Sequence, residues 1–125
     1  MREEEQWASG LAVAAGLVFL VIGLRFVLVP QAAFDFFGLA DPPRLRDLST
    51  IIGLRDIWLA LLVLGLGRWR EWRALALTLG LGVLVCLCDT VVAVVSDGWS
   101  PSLLLHLGAG AFFAGLGWHC WRLTR

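Results

Sequence analysis

The sequence predicts an all-α protein, an antiparallel four-helix transmembrane bundle with a short interfacial segment after its first helix. Three observations lead there. Hydrophobic residues make up 59% of the 125 residues and charged residues only 16%, far from the balance of a water-soluble domain. Four apolar segments each reach the length of about 20 residues that an α-helix needs to cross a bilayer. Arginines crowd into alternate connections and thin out in the others, the pattern of a chain threaded back and forth. At this length, residues 1–125 form a single transmembrane domain.

The spans lie at about 7–29, 45–66, 74–95 and 100–121. The first, Trp7 to Val29, is ended by Pro30. It is too long for the apolar core of a signal peptide, and its flank Met1-Arg-Glu-Glu-Glu is acidic rather than basic. It therefore reads as a retained helix. The stretch Gln31-Ala-Ala-Phe34-Asp35-Phe36-Phe37-Gly38-Leu39 sets phenylalanines against the membrane surface and ends in a glycine suited to a helix C-cap. It reads as a short interfacial helix, either a surface anchor or a lid. Asp41 supplies an N-cap for the second span, with Pro42 in its first turn. The third runs from about Ala74 to Val95, and Ser100-Pro101 gives the start signal for the fourth.

Orientation follows from the arginines. The loop from Gly67 to Arg73 and the tail Arg122–Arg125 carry five of them, with Arg2 on the same side. The connection from Pro30 to Asp47 holds Arg44 and Arg46 beside three aspartates, and Ser96–Ser100 holds none. By the positive-inside rule both termini and the middle loop are cytoplasmic, and Trp7, Trp69, Trp72, Trp118 and Trp121 form an aromatic belt on that side. The Arg–Trp alternation of the middle loop is too short for a nucleic-acid surface, and zero net charge implies no nucleic-acid partner. We expect a protein of the bacterial inner (plasma) membrane whose surroundings are membrane lipid.

Ionisable residues inside the spans point to a site. Charges at bilayer depth cost about 2.5–3.5 kcal/mol on insertion scales and usually face protein or water. Counting about 1.5 Å per residue from the outer ends, Arg55, Asp56 and Asp89 lie about 12–14 Å deep, His106 about 9 Å and Arg25 about 7–8 Å. The sequence thus predicts that all five converge in the outer half, with Asp89, His106, Arg55 and Asp56 as acid–base residues. Asp89 and His106 would manage protons, Arg55 would hold an oxygen, and Asp56 would orient Arg55. Arg25, Asp35, Trp58 and Cys86 are candidate ligand-binding residues. The alternative is an Arg–Asp network that only fastens helices together.

No metal motif occurs, since two arginines beside two aspartates and a histidine oppose a cation, and no cofactor is implied. The three cysteines include no CxxC pair and read as packed thiols. Small residues at spacing four, such as Gly10–Ala14 and Ala12–Gly16, allow close helix packing, either within one subunit or in a homo-oligomer.

The order Pro30…Phe37-Gly38-Leu39, Gly53-Leu-Arg55-Asp56, Cys88-Asp89 and His106-Leu-Gly108 resembles a domain-of-unknown-function family of small integral membrane proteins. It is more loosely similar to DoxX-like four-helix proteins. The resemblance supports the architecture and implies no activity. From the residues themselves we expect a membrane-embedded enzyme or binding protein for a lipophilic small molecule. The alternatives are a proton-linked carrier or pore, and a structural or accessory subunit.

Overall fold

The computed structural model describes residues 2–39 and 45–125. The chain order is α1 (Glu3–Leu28), α2 (Pro30–Phe37), α3 (Leu45–Trp69), α4 (Trp72–Asp97) and α5 (Leu103–Arg122). All of these elements are helical, and α1, α3, α4 and α5 are long and apolar enough to cross a membrane. Large apolar side chains, leucines on every one of them, are exposed along all four, as expected where lipid rather than water surrounds the bundle.

The helices begin and end differently from the sequence expectation, for local reasons. α1 starts at Glu3 because Glu3, Glu4 and Glu5 place negative charge on its first turn, where the helix dipole favours it. The long loop expected around residues 67–73 shrinks to Arg70 and Glu71. Arg70 takes a left-handed φ of 60°, and the Glu71 N–H donates to the Leu66 carbonyl at 3.0 Å. α5 begins at Leu103 rather than at Ser100-Pro101. The Leu103 N–H donates to the Ser100 carbonyl at 3.1 Å, and the hydroxyls of Ser100 and Ser102 bond each other at 2.6 Å instead of capping the helix. The proposed Asp41 cap and Pro42 lie outside the described residues.

α2 follows α1 after a break at Val29, with Pro30 in its first turn, and stops at Gly38, whose φ of 66° is the left-handed C-cap that glycine adopts without strain. Gly38 lies directly against Ser102 at the start of α5. The end of α2 is thereby seated on α5.

Two helix pairs make the bundle: α1 packs along α3, and α4 along α5. On α3 the buried positions Ser49, Gly53, Asp56, Ala60, Val63 and Gly67 recur at alternating steps of four and three. Such a stripe keeps one face against a partner helix. Its small residues let the backbones meet: a Cβ on Gly53 would stand 2.7 Å from the Gly23 carbonyl oxygen, and one on Gly23 2.8 Å from that of Gly53. Ser9 donates to the Gly67 carbonyl at 3.0 Å, and Ser49 to that of Phe26, tying both ends of the seam. In the other pair, Phe113 fills the space beside Gly82 and Leu79 packs on Gly117. The pairs meet at Phe19 and Phe113, whose ring centroids are 5.0 Å apart.

Candidate functional site

The α3 stripe explains how its two charges diverge. Asp56 occupies the stripe and is 6% exposed, whereas Arg55, one residue earlier, leaves it. Adjacent helical residues do not face each other. The long Arg55 side chain bends back, so that Nε donates to Asp56 Oδ1 at 3.0 Å and Nη2 reaches the same oxygen at 2.9 Å. Nη2 also stands 3.6 Å from Asp89 Oδ2 on α4. Arg55 therefore spans the gap between the two helix pairs. The Arg55 and Asp89 side chains remain 40% and 35% exposed.

Most of the other expected members go elsewhere. His106 is 8% exposed, and its Nε2–H donates to the Phe37 carbonyl at 3.2 Å, with the two rings 5.7 Å apart. It therefore binds the end of α2, not the Arg–Asp group. Arg25 sits exposed in the last turn of α1, its guanidinium 5.4 Å from the Phe36 ring centroid. The C-terminal dipole and the aromatic face both favour a cation there. Asp35 does not reach inward: it lies on the exposed side of α2 and accepts from Gln31 Nε2 at 3.4 Å. Trp58 belongs to the outward row Ile51, Leu54, Trp58, Leu61 and is 62% exposed. Cys86 is buried on α4. The single five-residue convergence is thus replaced by an ion-paired triad and a separate histidine junction.

A furrow opens between α4 and α5 beside that junction. Its part nearest His106, about 250 Å³, is lined by Cys86, Thr90, His106, Gly110 and Ala114 among others. A second part, about 490 Å³, shares Ala114 with the first and is lined by Gly80, Phe113, Gly117, Trp118 and Trp121. Neither part is lined by Arg55, Asp56 or Asp89. The walls are almost wholly apolar, and small residues on both helices leave the space. From His106 to Trp121 the furrow follows α5 for about 22 Å, more than half of a hydrocarbon core of about 30 Å.

Hydrogen bonding at the His106 end is specific. His106 uses Nε2–H on Phe37, and its Nδ1 has no hydrogen-bond partner among the described residues. Among those residues no buried side-chain nitrogen or oxygen lacks a partner, so Nδ1 is not sealed off. Thr90 Oγ1 donates to the Cys86 carbonyl at 2.7 Å. Sequence reasoning overlooked Thr90, the Phe37 carbonyl and His119, whose Nε2–H donates to the Glu4 carbonyl at 3.5 Å. The step pattern of α3 could have placed Asp56 inward and Trp58 outward. No periodicity could have revealed the carbonyl partners.

Residues 16–120 match the model of a family described as a domain of unknown function, DUF4267. No curated protein and no solved structure gives a match. The match spans every candidate residue and supports the first of the two resemblances, not the DoxX-like one. With that match over most of its length, this helical membrane protein belongs to the DUF4267 family.

Proposed function

We propose that the protein binds a lipophilic molecule along the α4–α5 furrow, with His106 as the polar anchor. The Arg55–Asp56–Asp89 ion pairs then fasten one helix pair to the other. One observation carries the reading: a histidine buried at the head of a largely apolar furrow keeps one ring nitrogen without a hydrogen-bond partner among the described residues. Binding sites for small molecules commonly combine apolar walls with a few placed polar groups. The membrane is the bacterial plasma membrane, and both termini face the cytoplasm, as the arginine distribution favours.

The test is photolabelling in nanodiscs with a hexadecyl chain carrying a diazirine. Label should fall on α4 and α5 residues that line the furrow, and Ala114→Phe, which fills it where its two parts meet, should remove that label. Label spread evenly over all lipid-facing helices would refute the reading.

A second reading rests on the partial openness of Arg55 and Asp89. A membrane-embedded enzyme would use Asp89 as an acid or base while Arg55 holds the reacting oxygen. Asp89→Asn would then abolish turnover while leaving thermal stability near that of the parent.

A further inference from the structure

We infer that the furrow selects a lipophilic alcohol, a long apolar molecule ending in a hydroxyl group that donates a hydrogen bond. This deepens the binding reading above and rests on it.

Two polar side chains stand at the same end of the furrow, His106 and Thr90, and both have already committed their protons. A backbone carbonyl only accepts, so the 3.2 Å contact between His106 Nε2 and the Phe37 oxygen requires the proton on Nε2. The other ring nitrogen, Nδ1, has no hydrogen-bond partner among the described residues, and His106 lines the furrow, so we take Nδ1 as its acceptor. The Thr90 hydroxyl gives its proton to the Cys86 carbonyl at 2.7 Å and likewise keeps only lone pairs. The remaining polar group, the Cys86 thiol, is a weak donor. The head of the furrow is therefore an acceptor pair.

A ketone, ester or ether oxygen placed there would face lone pairs and find no strong donor. A hydroxyl would donate to Nδ1 or to Thr90 Oγ1. The Phe37 bond also holds the imidazole plane, because Phe37 itself is set by the C-cap at Gly38 and the packing of that turn on Ser102. The acceptor is thus preorganised, and little ordering cost falls on the ligand. Below it, about 22 Å of apolar furrow ending at Trp118 and Trp121 suits one extended chain that reaches past the bilayer midplane.

Competition against the diazirine-bearing hexadecyl probe tests this in the full chain in nanodiscs. The competitors are 1-hexadecanol, its methyl ether and hexadecane, compared at equal mole fraction in lipid. We expect the alcohol to displace label at about three- to tenfold lower mole fraction than the ether, the range of one net hydrogen bond. His106→Phe should bring alcohol and ether to parity. Should that variant fail to fold, Thr90→Val, which is nearly isosteric, should narrow the preference. Equal competition by all three competitors overturns the inference and leaves the binding reading intact. A preference for alcohol that survives both substitutions also overturns it. Absence of furrow label altogether removes the inference and the binding reading together.

Discussion

Asp56 lies inside the seam between α1 and α3, and Arg55, its neighbour in the chain, bends back over α3 to reach it at 2.9 Å. The same guanidinium extends to Asp89 on α4 at 3.6 Å. One carboxylate is buried and doubly contacted; the other is partly open and reached once. The two aspartates therefore differ in what they contribute.

Removing one member of a buried pair commonly costs about 3–5 kcal/mol, because the charge left behind has no compensation. Asp56→Ala should lower the unfolding free energy by about that amount. For Asp89→Ala the loss should be about 1 kcal/mol or less, as for exposed pairs. Equilibrium unfolding in mixed micelles measures both. The reverse order would make Asp89 the principal partner of Arg55.

The crossing of α1 and α3 gives a second expectation. At Gly53 an added methyl would sit 2.7 Å from the Gly23 carbonyl oxygen, with backbone on the far side that cannot yield cheaply. Gly53→Ala should destabilise the protein by about 1–3 kcal/mol through overpacking. Gly115 has nothing within 4 Å of a built Cβ. Gly115→Ala should be neutral or stabilising by up to about 1 kcal/mol, since alanine loses less backbone entropy in a helix. Equal effects at the two positions would contradict the close crossing.

Hydropathy made the four long helices and the break at Pro30 legible in the sequence, because a span needs only length and apolarity. The glycine cap at Gly38 was legible for the same kind of local reason. Depth placed Arg55, Asp56 and Asp89 at one level, and they do meet. Depth carries no azimuth, however. Arg25 and Asp35 lie toward the same end of the bundle as the triad yet point away from it, and His106 turns to α2. The step pattern Ser49, Gly53, Asp56, Ala60, Val63, Gly67 held the missing angle for α3. For the α4–α5 furrow no such reading exists, because it is space left between two helices and follows from their packing.

Orientation in the membrane is tested by chemistry at the two ends. In a cysteine-free background, Trp99→Cys on the α4–α5 connection should react with an impermeant maleimide on intact cells. Arg70→Cys should react only after permeabilisation, since arginine-rich connections stay on the cytoplasmic side. Labelling in the opposite order would invert the bundle and place the His106 end of the furrow toward the cytoplasm.

The turn between α3 and α4 yields the last expectation. Arg70 adopts a φ of 60° without being glycine. A Cβ in that region crowds the following carbonyl at a cost of roughly 1–2 kcal/mol. The conformation is held from both sides, by the Glu71 N–H on the Leu66 carbonyl and by the Trp72 N–H on the Arg70 carbonyl at 2.9 Å. Those bonds end α3 and start α4 within two residues, which keeps the helices antiparallel and sets the register in which Arg55 meets Asp89. Arg70→Gly should therefore stabilise the protein by about 1 kcal/mol by relieving the crowding. Arg70→Asn should lie between, because asparagine tolerates the left-handed region better than arginine. Arg70→Val should destabilise, since a branched Cβ tolerates it worst. All three remove the same charge, so their ranking in equilibrium unfolding isolates the backbone from the positive-inside effect. Identical stabilities would mean that the residue at position 70 carries no strain and the turn is set by the flanking helices alone.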